Sequence, residues 1–254
     1  SLKNLTLSIF AHMKINKLIS LFELLEVPNK LDFSLLDFGC GSGDKVKFLR
    51  DNGYNFVGCD IEFKLGEFTK RLKEENIITK IGMNPYRLPF PSDYFDFVLS
   101  DQVFEHVLDY GEALCELSRV MKRGSSSLHI FPSKWKIFEP HTGTPFGGAI
   151  NFYLWILFWA LLGINKRGHQ NLSRFEIAKL DYEYIQAKTN YLSGSEIEEF
   201  FNKFGFSVHY CNHKAIKLSS NKLVSKFISL FPFSSKLSQF FAGRFIIATL
   251  NSNK

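Results

Sequence analysis

Short apolar stretches alternate with amphipathic ones along the first half of the chain. Apolar runs of about four to eight residues are typical of buried strands, and apolar residues recurring every three or four positions are typical of helices. Their alternation over residues 31–132 predicts a parallel sheet with helices on both faces. The predicted strands are Leu31–Phe38, Tyr54–Asp60, Ile77–Met83, Phe95–Asp101 and Leu128–Pro132, and the predicted helices are Asp44–Asn52, Lys64–Glu75 and Tyr110–Met121.

The segments before and after this core carry different patterns. Apolar residues on one face of Met13–Val27 predict an amphipathic helix within an N-terminal helical segment, residues 1–30. Residues 133–190 break the alternation, so we interpret them as an inserted cap on the acceptor side. Their apolar run, Phe152–Leu162, is hydrophobic on every face, which favours burial as a lid. An oligomer contact and an interfacial membrane helix remain as alternatives, although interfacial helices usually have a polar face.

Residues 191–254 are predicted to complete the core. Ser195 and Glu198 have the spacing of a helix capping box. A helical insertion is predicted near residues 215–240, and its segment Lys222–Phe231 has basic and apolar faces that suit an anionic lipid surface. Two further strands are predicted, Phe206–Cys211 and Phe245–Leu250.

Composition narrows the class of protein. The chain has 254 residues, of which 45% are hydrophobic, and this fits one α/β domain with insertions. The net charge of +6 suits an anionic partner such as a membrane surface, but a solvated basic surface explains it equally well. No dense Lys/Arg block or nucleic-acid motif is present, so a nucleic acid partner is disfavoured. The four cysteines form no CxxC pair, so no metal site is predicted. A cytoplasmic location is expected, with peripheral membrane contact as an alternative.

A glycine-rich segment, Asp37-Phe38-Gly39-Cys40-Gly41-Ser42-Gly43-Asp44, directly follows the first predicted strand. Glycines permit positive φ and the close approach of a ligand to bare backbone, and a following helix supplies free N–H groups. Asp60 ends the second predicted strand about 20 residues onward, where an acid can bind ribose hydroxyls. The GxGxG spacing departs from the GxGxxG of dinucleotide sites, because Asp44 takes the place of the third glycine.

This segment resembles motif I of the class I S-adenosylmethionine-dependent methyltransferases, in which an acid precedes the first glycine by two residues. Three further segments match that family in the same order. The resemblance covers about residues 31–132 and, weakly, 193–211, and it implies a Rossmann-like, mostly parallel seven-stranded sheet. The matching segments are Gly58-Cys59-Asp60-Ile61-Glu62, Leu88-Pro89-Phe90-Pro91-Ser92-Asp93-Tyr94-Phe95-Asp96-Phe97-Val98, and Glu105-His106-Val107 followed by Glu116–Lys122.

The resemblance implies S-adenosylmethionine as the methyl donor and S-adenosylhomocysteine as the product. It places one acid beneath the glycine loop near the methionyl end of the donor, a second acid on the ribose, and an apolar residue against the adenine. Asn84 stands where the family usually has an Asp that contacts the adenine amino group. The implied donor residues are Asp37, Gly39, Gly41, Gly43, Asp60, Ile61, Asn84, Asp101 and Gln102.

Three residues are candidates for the acceptor side. His106 follows the fourth predicted strand and is the first candidate for a general base, although it could instead brace the loop. Glu139 and His141 lie in a polar turn just after the fifth predicted strand, at the carboxyl edge of the sheet. We therefore expect methyl transfer to an oxygen, or less readily a nitrogen, of a small-molecule, saccharide or lipid-linked acceptor. The alternatives are a non-catalytic donor-binding module and a membrane-surface enzyme with a polyprenyl-linked acceptor.

Overall fold

The computed structural model describes residues 15–27, 31–166, 172–217, 233–241 and 243–252. Seven of its strands form one sheet: β1 (Leu35–Phe38), β2 (Phe56–Asp60), β3 (Ile78–Lys80), β6 (Phe95–Asp101), β7 (Met121–Pro132), β8 (Phe206–Tyr210) and β9 (Gly243–Leu250). The strand order across the sheet is β3-β2-β1-β6-β7-β9-β8. Pairing is parallel from β3 to β7, and β9 runs antiparallel to both β7 and β8. The predicted fold class, a mostly parallel seven-stranded α/β sheet, is confirmed.

The pairing of β1 with both β2 and β6 decides where a ligand can bind. Asp37 on β1 lies opposite Gly58 on β2 and Leu99 on β6. The carboxyl ends of these three parallel strands therefore meet at one edge, which is the edge where ligands bind in open α/β sheets. The glycine loop directly follows β1, and Asp60 and Asp101 are the last residues of β2 and β6.

Helices cover both faces of the sheet, as the alternation predicts. They are α1 (Ile15–Leu24), α2 (Asp44–Asp51), α3 (Thr69–Glu74), α4 (Tyr110–Val120), α5 (Tyr153–Leu161), α6 (Arg174–Lys188), α7 (Gly194–Lys203), α8 (Asn212–Lys217) and α9 (Phe233–Phe241). Adjacent residues of β1 point to opposite faces: Leu36 belongs to the core under α4 and α7, whereas Leu35 belongs to the core under α1 and α2. Both leucines are fully buried, so each face of the sheet has its own hydrophobic core.

Two predicted boundaries near the donor loop are wrong. The helix predicted from Lys64 begins at Thr69, because residues before it pack as a loop against the glycine segment. A Cβ on Gly66 would lie 2.6 Å from the Cβ of Ser42, and the Thr69 hydroxyl donates to the Ser42 carbonyl at 2.7 Å. The predicted strand Ile77–Met83 is divided: its first part is β3, and Gly82–Met83 (β4) pairs with Tyr86–Arg87 (β5) in a separate antiparallel hairpin.

The capping box at the start of α7 is displaced by two residues from its prediction. Ser193 accepts from the Glu196 N–H, and the Glu196 carboxylate accepts from the Ser193 N–H at 2.7 Å. Ser195 lies inside the first helical turn, so the Ser195–Glu198 pair does not cap the helix. The segment contains two overlapping Ser-x-x-Glu frames, and spacing alone does not distinguish them.

The insertion contains a helical hairpin in which α5 packs on α6. Ile156 and Ala160 of α5 are buried against Ala178 and Ile185 of α6. The opposite face of α5 is exposed, so the interpretation of the apolar run as a fully buried lid is wrong. Within the described residues α6 is the helix that packs against this run, and Trp155 also donates to the Pro145 carbonyl at 2.8 Å, so one face of α5 is covered. The exposed large apolar residues of this hairpin are Phe152, Leu154, Phe158, Leu161, Leu162, Phe175 and Leu180.

No helix of the described ranges combines the length and apolar character needed to cross a bilayer. The predicted insertion near residues 215–240 is helical at its two described ends, α8 and α9. Its basic and apolar segment, Lys222–Phe231, lies outside the described residues, as do Met13 and Lys14 of the predicted N-terminal helix.

Candidate active site

The three glycines of the loop after β1 have different surroundings. All three have positive φ, at 80°, 58° and 81° for Gly39, Gly41 and Gly43. A Cβ on Gly39 would lie 2.3 Å from a methyl of Val103, and one on Gly43 would lie 2.7 Å from a methyl of Leu72. A Cβ on Gly41 would meet only the stem of Lys64, at 3.7 Å. Two glycines therefore permit tight packing, and the middle one leaves its backbone open to a ligand.

Asp60 faces this loop from the end of β2. Its Oδ2 accepts from the Gly41 N–H at 2.7 Å, and its Oδ1 accepts from the Glu62 N–H at 3.1 Å. A carboxylate held by backbone N–H groups keeps its orientation and can still accept from a ligand hydroxyl. The neighbouring Ile61 is exposed and offers an apolar surface beside that carboxylate.

A buried acid forms the floor beneath the loop. Asp37 is fully buried, and neither of its carboxylate oxygens has a hydrogen-bond partner within the described part of the chain. Asp101, at the end of β6, also has one buried oxygen without such a partner, while its Oδ2 binds the Lys45 ammonium at 2.9 Å. Burial raises the pKa of Asp37 to about 6; Lys45 opposes the shift, and Asp101 and Asp60 add to it. Lys45 thus acts on Asp37 through its charge, while its ion pair within 4.0 Å among the described residues is with Asp101.

Lys45 is a residue that the sequence analysis missed. It is the second residue of α2, and its ammonium reaches the floor between two acids. Asp37 and Asp101 together hold the pKa of Lys45 above its ordinary value against the effect of burial. Its position in the sequence, directly after the glycine loop, could have indicated a lysine near the donor floor, because the first turn of α2 must lie over the end of β1.

Two further predicted donor residues lie around this edge. Asn84 is exposed at the turn of the β4–β5 hairpin, which starts beside Asp60, since the Ile81 N–H donates to the Asp60 carbonyl at 2.9 Å. Gln102 has a φ of 60°, and its N–H donates to the Ile130 carbonyl at 2.7 Å. This conformation turns the chain from β6 into the short 3-10 turn Phe104–His106. Donor contacts of both residues stay predictions.

Three side chains with lone pairs meet next to the donor floor, and we call Glu105, His106 and His141 the acceptor cluster. The two imidazole rings have centroids 4.7 Å apart. His106 Nδ1 donates to the Lys188 carbonyl at 2.7 Å, because a carbonyl can only accept, and this leaves Nε2 as the lone-pair nitrogen. His141 Nδ1 lies 3.2 Å from the Tyr184 hydroxyl, while its buried Nε2 has no described partner. Burial lowers the pKa of His141 to about 4, so its ring is neutral near pH 7.

Glu105 is the second residue that the sequence analysis missed, although it stands in the quoted Glu105-His106-Val107 motif. It is 1% exposed, and both its carboxylate oxygens lack a partner among the described residues. Burial raises its pKa to about 8; Asp101 and Glu139 act in the same direction, and Lys136 acts against it. Glu105 lies four residues after Asp101, in the 3-10 turn that follows β6, so the acceptor cluster begins at the strand end that supplies part of the donor floor.

Glu139 is buried in the loop beside the cluster, and its oxygens are fully engaged. Its Oε2 accepts from the N–H groups of His141 and Thr142 at 2.9 and 2.6 Å and from the Thr142 hydroxyl at 2.8 Å. Its Oε1 accepts from the Tyr191 hydroxyl at 2.7 Å. These bonds favour a positioning role for Glu139, and the catalytic roles of Glu139, His106 and His141 stay predictions.

Comparison with known proteins finds similarity over the part of the chain that holds the glycine loop, Asp60 and Asp101. Residues 36–128 match a family model described as a methyltransferase domain. An uncharacterised protein of Methanocaldococcus jannaschii is 38% identical over 125 residues, which cover 49% of this chain and 52% of that protein. The ubiquinone/menaquinone biosynthesis C-methyltransferase of Vibrio parahaemolyticus is 32% identical over 113 residues, which cover 42% of this chain and 43% of that enzyme.

A solved structure extends the similarity of fold to most of the chain. An S-adenosylmethionine-dependent methyltransferase from Mesorhizobium loti superposes with a TM-score of 0.53 at 13% identity, covering 91% of this chain and 96% of that one. The curated relatives match over shorter regions, and the chain spans about half the length of these two. These findings agree with the family that the four sequence motifs indicate.

Proposed function

We propose that this chain, a class I S-adenosylmethionine-dependent methyltransferase as its sequence predicted, transfers the donor's methyl group to an oxygen atom of a lipid-linked acceptor. The family, the enzyme class and the donor follow from the matched domain, residues 36–128. The observation that carries the donor assignment is the open space beside the Cα of Gly41. This space lies next to the Asp60 carboxylate, which accepts from the Gly41 N–H.

The residues of the donor site fit the chemical groups of S-adenosylmethionine. The two unpartnered oxygens of buried Asp37 suit the α-ammonium of the methionyl end. Asp60 suits the ribose hydroxyls, and the exposed side chain of Ile61 suits the adenine ring. When bound, the donor supplies a methyl group on a sulfonium, which an acceptor atom displaces in line. The chain's own contribution is to orient both partners and exclude water.

The acceptor cluster favours an oxygen acceptor. A hydroxyl must lose its proton as the methyl arrives, and groups with free lone pairs can assist in this. The cluster offers the Nε2 atoms of His106 and His141, whereas Glu105, whose pKa burial raises to about 8, is mainly protonated near pH 7. Tyr184 of α6 contacts His141 of this cluster, and Tyr191 in the segment after α6 donates to Glu139 beside it.

A lipid-linked acceptor is favoured by the exposed apolar face of α5. Large exposed apolar patches on soluble proteins mark interaction surfaces. In the sequence, α5 is followed by residues 165–174, which contain Lys166, Arg167 and Arg174 and no acid. An apolar run followed in sequence by a cationic stretch suits an anionic bilayer surface. The Vibrio relative is named as a C-methyltransferase of ubiquinone/menaquinone biosynthesis, and its name supports an acceptor of lipid character but not the choice of oxygen.

The membrane contact predicts a clear effect of two charges on α5. Phe158→Glu combined with Leu161→Glu should reduce binding to phosphatidylserine-containing vesicles by at least about tenfold, since each apolar side chain contributes on the order of 1.5–3 kcal/mol when buried. Vesicle flotation measures the bound fraction. Leu31→Glu, at a leucine that is also exposed but lies outside the α5–α6 hairpin, is the control and should float like the wild type.

Failure of the wild-type chain to float with anionic vesicles would contradict the membrane contact. Equal flotation of the wild type and the double variant would also contradict it. If light scattering instead shows a dimer that the double variant dissociates, the face binds a second copy of the chain.

The donor site predicts a defined pH dependence of product binding. The Asp37 carboxylate must be ionised to attract the α-ammonium, and its pKa is raised to about 6. Affinity for S-adenosylhomocysteine should therefore be full above pH 7 and fall by up to about tenfold per pH unit below pH 6. Asp37→Asn should bind weakly and lose this dependence, whereas Asp51→Asn at the exposed end of α2 should behave like the wild type.

Titration calorimetry across this pH range measures both effects. Absence of binding by the folded wild-type chain at every pH would overturn the donor assignment. A pH-independent affinity of the wild type would show that Asp37 is not the partner of the ammonium.

A further inference from the structure

The acceptor cluster has the composition and spacing of a metal site. One ligand atom from each of Glu105, His106 and His141 lies within 4.8 Å of the other two. Coordination at about 2.0–2.2 Å needs such atoms roughly 3–3.5 Å apart, which small side-chain rotations can provide. The sequence analysis predicted no metal site from cysteine spacing, and these three residues come from two distant segments.

We propose that the acceptor cluster binds one divalent first-row transition cation through the Glu105 carboxylate and the Nε2 atoms of His106 and His141. Two imidazoles and one carboxylate are a ligand set that such cations prefer, whereas Mg²⁺ and Ca²⁺ prefer sets made of oxygen alone. Three protein ligands leave at least one coordination position open, as in catalytic sites.

The hydrogen bonds around the two imidazoles orient them for this role. A metal-binding histidine usually donates its other ring N–H to a carbonyl or carboxylate, which fixes the tautomer. His106 does so through Nδ1, which donates to the Lys188 carbonyl at 2.7 Å. His141 has Nδ1 beside the Tyr184 hydroxyl, and its buried Nε2 has no partner among the residues described. Glu139 holds the loop in place by accepting from the His141 main-chain N–H.

The burial of Glu105 is the second observation that points to a cation. Its side chain is 1% exposed and has no hydrogen-bond partner among the described residues on either oxygen. A buried carboxylate left without compensation is strongly unfavourable, so such a group takes up a proton, pairs with a charge or binds a metal, and a bound metal displaces the proton. Lys136 is the competing cation, because its charge acts on both Glu105 and Glu139. No Lys136–Glu105 ion pair within 4.0 Å is formed in the described residues.

The role of the cation rests on the proposed methyl transfer to oxygen. Held by these three residues, the cation would lower the pKa of an acceptor hydroxyl, and the proton would leave that oxygen for solvent. That oxygen then forms a bond to the methyl carbon while the carbon–sulfur bond breaks, and the electron pair stays on sulfur. Under this inference both histidines act as ligands instead of general bases.

Binding of Co²⁺ to the full chain tests the site without any acceptor. The wild type should bind one Co²⁺ per chain, with visible ligand-field absorption that Zn²⁺ removes. Glu105→Gln and His141→Gln should each weaken Co²⁺ binding by about 30-fold or more. Loss of a residue that only supports a ligand costs about 10- to 100-fold in metal affinity, and loss of a direct ligand should cost at least a comparable factor. His209→Gln, at an exposed histidine of β8, is the matched control and should bind like the wild type.

Two outcomes overturn the inference. One is a wild-type chain that binds no Co²⁺, as expected if Lys136 alone neutralises Glu105. The other is equal binding by the wild type and the two ligand variants. Calorimetry with S-adenosylhomocysteine on the same samples shows that each variant is folded and keeps its donor site. Should one ligand variant fail to fold, the other carries the comparison. Loss of donor binding by the wild type would instead contradict the proposed function and leave the cation result standing.

Discussion

Gly39→Ala is expected to weaken S-adenosylhomocysteine binding by about 100-fold or more. Gly39 has a φ of 80°, and an added Cβ would lie 2.3 and 2.9 Å from the two methyl carbons of Val103. The left-handed backbone costs alanine about 1 kcal/mol, and overpacking costs roughly 1–3 kcal/mol more. Relief of the contact must move the loop that presents Gly41, so the loss should appear in donor affinity measured by calorimetry as well as in thermal stability.

Two variants separate the collision from the backbone conformation. Gly53→Ala has nearly the same φ, 87°, but no atom within 4 Å of the added Cβ, so donor affinity should stay within about twofold of the wild type. Gly39→Ala combined with Val103→Ala removes the two closest methyl contacts and should recover part of the lost affinity. Unchanged affinity in Gly39→Ala alone would show that the loop does not form the donor site.

Asp60→Ala should reduce donor affinity and kcat/KM by about 100-fold. The substitution removes the acceptor for the Gly41 N–H and the proposed acceptor for the ribose hydroxyls. Hydrogen bonds to a charged group contribute about 1.5–3 kcal/mol each, and 1.4 kcal/mol corresponds to tenfold in affinity. Loss of the two proposed bonds between Asp60 and the ribose hydroxyls therefore accounts for the expected loss of donor affinity.

Glu62→Gln is the matched control, because Glu62 is an exposed acid two residues away whose side chain makes no described contact with the loop. It should keep wild-type affinity for S-adenosylhomocysteine. An Asp60→Ala variant that binds as well as Glu62→Gln would remove Asp60 from the donor site. Calorimetry and transfer of a labelled methyl group give the two readouts.

The donor side of the site could be predicted from the sequence because its parts are local. The glycine loop and Asp60 each follow directly from a strand, and parallel pairing of β1 with β2 brings them together. The acid at the end of β6 reaches the same edge for the same reason. Once the strands are recognised, the positions of these residues follow from topology. Lys45 escaped notice because only packing of α2 shows that its ammonium reaches the floor.

The acceptor side could be predicted only in part, because its contacts join segments far apart in the chain. His106 and His141 were singled out separately, but their 4.7 Å ring separation depends on how the insertion folds back. The isolation of the Glu105 carboxylate is a property of burial and has no sequence signal. The prediction that Phe152–Leu162 is buried was wrong for a similar reason, because the composition of a helix does not show how many other elements will pack against it.

The bond between His106 and the Lys188 carbonyl ties the orientation of one imidazole to the last turn of α6. Just beyond that turn, the Asn190 N–H donates to the Glu105 carbonyl at 2.7 Å. The other helix of the same hairpin carries the outward apolar face. A tilt of the hairpin on binding to a bilayer would thus change the orientation of the His106 ring. Binding to the membrane that holds the acceptor would then be coupled to the arrangement of the acceptor cluster.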